Sequence, residues 1–166
     1  MIDLWRLLVL DPATETWVAS QPNFEQHPLS LLLASTEHTI ASSSRSYILT
    51  TLRLFANIFP SPFIAQRLVL GPHKQKLTAL IIQTLLHDDA AVKNASASLI
   101  FNYSAALQKN RVDSAIGITT RGTSISIEED EDWEVEMVSA IIEALRREKE
   151  NEEFGESNTN YHFTAH

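Results

Sequence analysis

The sequence contains no cysteine and only 4 glycines among 166 residues. Without cysteine, a disulfide scaffold, a thiol nucleophile and the cysteine-containing zinc motifs are all excluded. The scarcity of glycine argues against a β-sandwich, whose tight turns need residues with a permissive backbone. No run of about 18 uncharged apolar residues occurs, so a membrane span is not expected. Asp3 and Arg6 interrupt the apolar run near the start, which argues against a signal peptide. We therefore expect a protein of the cytoplasm, the nucleus or both.

What the sequence does contain is typical of a single helical domain. Apolar residues make up 44% of the chain, an ordinary share for a globular protein. The charge is uneven: residues 1–127 carry 10 Lys/Arg against 8 Asp/Glu, whereas residues 128–166 carry 3 against 13. Nucleic acid is not an expected partner, because its binding needs a basic stripe. The mildly basic body can still hold a local cationic pocket.

Apolar residues recur at helical spacing along most of the chain, and strand-like alternation of useful length is missing. Proline and glycine divide the pattern into separate helices, as at Pro12, Pro60 and Gly71. The Asp89 side chain is expected to cap a helix that begins just after it. The predicted helices cover residues 2–10, a segment from 28 onward, 45–59, 62–70, 74–86, 90–107 and 133–150.

The acidic final quarter is predicted to be less ordered than the body. Residues 117–132 combine a Ser/Thr/Gly-rich segment with an acidic run, which is typical of a flexible loop. The apolar pattern stops after residue 153, so residues 154–166 are predicted to be a disordered tail of a domain spanning 1–153. Between them, the helix at 133–150 is expected to start on a core anchor, Trp133. Its predicted apolar stripe consists of Val135, Val138, Ile141, Ile142 and Leu145.

Two look-alike segments, 51–59 and 96–104, each place one asparagine after an apolar run. These residues, Asn57 and Asn102, lie 45 positions apart. This period is typical of armadillo and HEAT repeats, whose stacked helices form a solenoid with a concave binding face. We therefore predict an all-α, armadillo-like, right-handed solenoid of about three repeats. The array is predicted to be incomplete.

The two asparagines have two possible roles. An asparagine on the concave face can pair with both the N–H and the C=O of an extended peptide, whatever the peptide sequence. Alternatively, each asparagine caps or bridges neighbouring helices of the same chain. Arg53 lies one turn before Asn57, and Ser98 occupies the equivalent place before Asn102, with Asn94 one turn further back. These residues extend the candidate binding face.

Candidate catalytic and metal-binding patterns are weak. The sequence has no Gly-rich phosphate loop, nucleophile elbow or HExxH motif. His87, Asp88 and Asp89 fit a turn that closes one helix and caps the next. His162 and His166 have a metal-like spacing but no supporting helical pattern. We predict a non-enzymatic protein without a cofactor or a bound metal.

Three ordered segments, residues 3–12, 52–59 and 101–104, resemble the PUL domain. That domain ends ubiquitin adaptors of the phospholipase-A2-activating-protein type, and in fungi it accompanies thioredoxin-like or desumoylating-type peptidase domains. The resemblance implies an armadillo-like fold. It also implies a cationic groove that binds the acidic, tyrosine-containing C-terminal tail of the valosin-containing AAA ATPase, in the ubiquitin–proteasome pathway.

The resemblance covers roughly residues 1–150, and a full PUL domain is longer at both ends. It implies that Arg53 meets a ligand carboxylate, while Asn57 and Asn102 hold the ligand backbone. Three further candidates for binding, Lys93, Lys109 and Arg111, follow from charge alone. The alternative function is a structural helical-repeat module. Such a module would pack against a partner domain of a thioredoxin- or desumoylating-peptidase-containing protein.

Overall fold

The structure is a computed structural model that describes residues 2–21, 23–70, 73–116 and 127–161. Within these ranges the chain forms helices and no strands, which confirms the all-α class. No helix there is long and apolar enough to cross a bilayer. The α-helices are α1 (Ile2–Leu8), α2 (Pro12–Ser20), α3 (Pro28–Thr39), α4 (Arg45–Ala56), α5 (Pro62–Leu70), α6 (Lys74–Leu85), α7 (Ala90–Ala115) and α8 (Ile127–Tyr161). Short 3-10 helices occupy Phe24–Gln26 and Ile40–Ser42.

Helix starts are set by side chains that accept hydrogen bonds from otherwise unpaired backbone N–H groups. The Asp11 carboxylate accepts from the backbone N–H of Ala13 at 2.9 Å and caps α2. The Asp89 carboxylate accepts from the N–H groups of Ala91, at 2.9 Å, and Val92, at 3.1 Å. The predicted cap of α7 is therefore confirmed.

The helices pack as a helical repeat. α4 lies between α1 and α7, while α6 contacts α3, α7 and α8, and α5 contacts α2, α6 and α7. α4 and α7 run parallel, because the start of α4 contacts the start of α7 and the end of α4 contacts the middle of α7. Arg45 Nε donates to Asp89 Oδ2 at 2.6 Å where the two helices begin. Asn102 Nδ2 donates to the carbonyl of Ala56 at 3.2 Å, where α4 ends. The two segments that look alike in sequence thus occupy equivalent places in the stack.

The core lies between these layers and extends to α8. Phe55 of α4 and Tyr103 of α7 are almost fully buried. Tyr103 meets Trp133 edge to face, with ring centroids 4.9 Å apart. The Trp133 indole Nε1 donates to Thr78 Oγ1 of α6 at 2.6 Å. Trp133 therefore anchors α8 on the stack, as its position in the sequence predicted.

The ends of α4 and α7 differ from those predicted. α4 ends at Ala56 rather than at residue 59, since the chain must turn before Pro60, whose ring cannot continue a helix. α7 continues to Ala115 rather than stopping near 107. Its added turns are supported by an ion pair between Lys109 Nζ and Asp113 Oδ2 at 3.2 Å, at helical i, i+4 spacing.

α8 is longer than predicted at both ends. It begins at Ile127, so residues 128–132 are helical rather than part of a loop. The positive end of the helix dipole favours acidic residues in the first turns of a helix. The acidic composition of residues 128–132 is therefore compatible with a helix as well as with the predicted loop. α8 also continues to Tyr161, into the predicted tail, because extending a helix is easier than nucleating one. Residues 117–126 and 162–166, the other parts of the predicted loop and tail, lie outside the described residues.

The predicted apolar stripe of α8 is largely wrong. The buried residues that follow Trp133 on this helix are Met137 and Ala140. Both sets of residues recur at helical spacing, so periodicity alone could not decide which one faces α6 and α7. Four of the five predicted residues are exposed, by 53 to 66%: Val135, Val138, Ile142 and Leu145.

Candidate functional site

Asn57 joins the end of α4 to the end of α1. It caps α4, and its backbone N–H reaches the carbonyl of Arg53 at 3.0 Å. Its side-chain Nδ2 donates to the carbonyl of Arg6 at 3.0 Å. A helix leaves its last carbonyls without partners. The Leu10 N–H, which could have satisfied Arg6, instead donates to the carbonyl of Leu7 at 3.1 Å. Asn57 therefore supplies a missing donor to α1.

Asn102 makes the same contact one repeat later. Its Nδ2 donates to the carbonyl of Ala56, the last residue of α4, at 3.2 Å. In a continuing helix that carbonyl would accept from the residue four positions on, but this residue is Pro60, which has no N–H. A donor from α7 therefore replaces the one that the chain itself lacks.

These two contacts form what we call the asparagine ladder, made of Asn57 and Asn102. In each contact, one amide N–H donates a hydrogen bond to a backbone carbonyl at the end of the preceding helix in the same layer. Both side chains are half-buried. Among the described residues neither amide oxygen accepts a hydrogen bond. The ladder thus supports the stack with one N–H of each amide and keeps both oxygens available as acceptors.

Asn57 and Asn102 also line a surface pocket of about 560 Å³. The pocket lies where α4 ends, α5 begins and the second half of α7 passes. Its walls are mostly apolar, with polar groups at intervals, an arrangement suited to holding part of a ligand in one orientation. The lining residues include Phe59, Pro60 and Ala105 as apolar wall, and Asn57, Asn102 and Lys109 as polar groups.

Arg53 is the candidate whose charge is left without a partner. It is exposed on the last turn of α4, one turn before Asn57. In the part of the chain that the structure describes, it forms no ion pair and no side-chain hydrogen bond. It does not line the pocket itself. Arg53 can therefore meet an anion in solvent next to the pocket.

The other predicted cations are already paired. Lys93 forms an ion pair with Glu148, and Arg111 forms one with Glu134. Both pairs join α7 to α8, so these two cations hold the fold together across the helix pair. Lys109 lines the pocket, but its ammonium also contacts a carboxylate of its own helix, as described above. An acidic ligand reaches these three only by displacing a carboxylate of the chain.

The remaining predicted residues lie earlier on α7. Asn94 and Ser98 are exposed, and the Ser98 hydroxyl donates to the backbone carbonyl of Asn94 at 3.0 Å. Sequence reasoning missed Phe101, which is 73% exposed beside Asn102. Its helical spacing from Asn94 and Ser98 was the available signal. An exposed aromatic ring offers apolar contact area to a ligand lying along α7.

The described groups of the site are suited to non-covalent contacts. No cluster of candidate metal ligands occurs among the described residues. The described groups with a shifted pKa lie outside the pocket. At one of them, Asp89, the hydrogen bond from Arg45 lowers the carboxyl pKa, and the N–H of Val92 adds to the effect. Burial lowers the pKa of His27, which caps the start of α3. What the pocket presents is a set of neutral acceptors and apolar walls beside an unpaired cation.

Comparison with known proteins gives one positive result. The family model described as the PUL domain matches residues 1–155. No curated protein and no solved structure matches the chain.

Proposed function

The chain belongs to the PUL domain family, and from this we propose a non-enzymatic module that binds an acidic peptide. The family membership supports a role in protein binding. The proposed ligand is the C-terminal tail of the valosin-containing AAA ATPase. The setting would be the ubiquitin–proteasome pathway, where binding would tether the ATPase to the protein that carries this domain.

The observation that carries the proposal is the unpaired Arg53 beside the pocket that contains the asparagine ladder. An exposed arginine that forms no ion pair or side-chain hydrogen bond among the described residues contributes little to folding. A carboxylate that approaches the exposed guanidinium at the edge of the pocket would make charge-assisted hydrogen bonds with it. Arg53 is therefore the proposed contact for the acidic part of the ligand.

The ladder would act on the ligand through the amide groups that the fold leaves over. In each asparagine one of the two amide N–H groups is used inside the chain, so Asn57 and Asn102 keep the oxygen as an acceptor and the second N–H as a donor for a peptide unit of the ligand. The apolar wall of the pocket would take one ligand side chain. Phe101 would extend that apolar surface along α7.

Such a contact set supports modest affinity. A hydrogen bond to a charged group contributes about 1.5 to 3 kcal/mol. One or two of these, offset by the ordering of a flexible tail, correspond to a Kd on the order of micromolar. Because Arg53 is exposed, added salt should weaken binding by screening.

The test is a titration of a fluorescent peptide with the acidic C-terminal sequence of the ATPase, followed by anisotropy. We expect Arg53→Glu to weaken binding at least tenfold, by about 1.4 kcal/mol or more, since an attraction becomes a repulsion. A matched control is Lys76→Glu, which makes the same charge change on α6, at a residue for which no ion pair occurs in the described ranges. It should change the Kd by less than about threefold, because its effect on the ligand is distant and screened.

Two further results would count against the proposal. Equal effects of the two substitutions would reduce the role of Arg53 to general electrostatic attraction. Equal affinity for the acidic peptide and for a version with amides in place of its carboxylates would exclude acidic-tail recognition. Circular dichroism of each variant would confirm that the fold is intact.

The second candidate is a structural module that packs against another domain and has no peptide ligand. It is favoured by the hydrogen bond that each of the two asparagines donates inside the chain. It predicts no saturable binding of the acidic peptide at any salt concentration. It also predicts that Arg53→Glu changes neither peptide binding nor stability.

A further inference from the structure

Among the described residues, Lys109 brings the only charge to the lining of the pocket, since the other lining residues are apolar or carry neutral amides. Its side chain is 71% exposed, and its ammonium lies 3.2 Å from the carboxylate of Asp113, one turn further along α7. Asp113 does not line the pocket, and its side chain is only 24% exposed. The cation of the pocket wall is therefore held by a carboxylate from outside the lining.

The stability of α7 does not explain why an acidic residue stands at position 113. The helix ends at Ala115, so Asp113 lies in its last turn. The negative end of the helix dipole disfavours an acidic residue there. The pair also has the weaker of the two orders, because an acidic residue stabilises a helix more when it precedes the lysine than when it follows. The ion pair offsets the unfavourable position only in part, so a neutral side chain should serve the helix about as well.

Lys109 can exchange one carboxylate for another without any movement of the helix. A lysine has a flexible four-carbon stem that ends in a compact ammonium with three rotatable donors. Its exposed ion pair at i, i+4 spacing is weak, because water and salt screen both charges. A ligand carboxylate that enters the pocket beside Lys109 therefore competes with the Asp113 carboxylate for the same ammonium.

We propose that Asp113 is an internal competitor, which holds Lys109 when the pocket is empty and yields it to a carboxylate of the bound ligand. This inference rests on the acidic-peptide binding proposed above, and it concerns the regulation of that site. The competitor lowers the affinity for an acidic ligand below the value that the pocket would otherwise reach.

The ligand carboxylate at Lys109 is a different group from the one at Arg53. Asn102 of α7 contacts the end of α4 at Ala56. Because the two helices run parallel, Arg53 lies before that level and Lys109 about two turns beyond it. At 1.5 Å per residue the two positions are separated by roughly 15 Å along the helices, which one carboxylate cannot bridge. The ligand class is therefore a peptide with at least two acidic groups.

The test is the same fluorescence titration with Asp113→Asn, which removes the charge and keeps the size of the side chain. The acidic peptide should bind about two- to fivefold tighter than to wild type, as expected for the loss of an exposed ion pair that competes with it. Glu143→Gln is the matched control, because Glu143 is also paired at i, i+4 spacing, with Arg147 of α8, and neither residue lines the pocket. It should change the Kd much less, since its charge acts only through screening solvent. Asp113→Asn should unfold at about the same urea concentration as wild type.

A second substitution shows whether the effect passes through Lys109. In a Lys109→Gln background, Asp113→Asn should leave the Kd nearly unchanged, because no ammonium is left to release. Lys109→Gln should also weaken binding more in the Asp113→Asn background than in wild type. Tightening that persists without Lys109 would indicate only a general loss of repulsion and would overturn the role of Asp113 as competitor.

This inference and the proposed function fail in different ways. Peptide binding that depends on Arg53 but has equal Kd values for wild type and Asp113→Asn would overturn the competitor and leave the proposed function in place. The absence of saturable binding to both proteins would overturn the two proposals together.

Discussion

Replacing Asn102 by alanine tests the role of the asparagine ladder in the fold. The substitution removes the Nδ2 donor that satisfies the carbonyl of Ala56 at 3.2 Å. The residue four positions on, which would supply the helical donor, is Pro60 and has no N–H to take its place. The end of α4 would then keep an unpaired, half-buried carbonyl between two packed helices.

Two opposing contributions set the size of the effect. Losing a hydrogen bond of this kind costs about 0.5 to 1.5 kcal/mol, toward the lower end where water can reach the carbonyl. Alanine also has a higher helix propensity than asparagine, by roughly 0.5 kcal/mol within α7. The expected net loss in the free energy of unfolding is therefore about 0.5 kcal/mol, with an upper limit of about 1.

A second asparagine on the same helix separates the two contributions. Asn94 is exposed, and its side chain makes no hydrogen bond with another described residue. Asn94→Ala should gain the propensity term alone and stabilise the chain by roughly 0.5 kcal/mol. The difference between the two variants, about 1 kcal/mol, measures the ladder contact. Urea unfolding would give the free energies, and the melting temperatures should differ by about 2 to 4 °C.

The reasoning fails if the two alanine variants unfold with free energies equal within experimental error. That result would mean that the ladder bond contributes nothing beyond what water supplies. The same pair of variants separates folding from binding. If Asn102→Ala weakens peptide binding while Asn94→Ala does not, after correction for the unfolded fraction, the Asn102 oxygen contributes to the ligand site.

Three other predictions follow from buried or charge-paired groups. Burial lowers the pKa of His27 below its ordinary 6.5. The contribution of the neutral imidazole to stability is therefore fully present above pH 6.5, and it is lost as the pH falls toward the pKa of the folded state. Thermal melts between about pH 7 and 5 should therefore show a steeper loss for wild type than for His27→Asn, which keeps a capping side chain but does not titrate. Trp133→Phe should lower the free energy of unfolding by about 1 to 2 kcal/mol, because the hydrogen bond to Thr78 is lost. In the double mutant, Thr78→Val should add little to this loss. Full additivity of the two substitutions would contradict a shared contact. Hydrogen bonds from Arg146 first, and then from Arg147, lower the pKa of Glu143 to about 2. NMR titration should show this pKa in the wild type and a clearly higher one in Arg146→Gln. An unchanged pKa in the variant would refute the pairing.

Much of the helical architecture could be predicted because its signals are local. Pro12, Pro28 and Pro62 mark helix starts, and Asp89 caps α7 as its sequence position indicated. The 45-residue repeat also reflects the stack, in which equivalent segments of α4 and α7 lie side by side. Helix ends were less predictable. The acidic start of α8 has a composition that suits both a solvated loop and the positive end of a helix dipole.

The candidate site was predictable in its residues but less so in their partners. Asn57 and Asn102 were identified from their repeat, and they do share a pocket. That each donates to the end of the preceding helix depends on how neighbouring helices are staggered. Lys93 and Arg111 were chosen from charge, yet both are paired with α8. Their carboxylate partners lie 55 and 23 residues away in the chain, so no local pattern could reveal them.

The sequence by itself determined that this chain is a helical repeat, because residue propensity, helix breakers and apolar periodicity act over a few residues. Only the tertiary structure decided which apolar line of α8 is buried. It likewise decided that Arg53 stays unpaired while Lys93 and Arg111 are neutralised. These outcomes depend on the distances between helices brought together by packing, and such distances are set by the whole core.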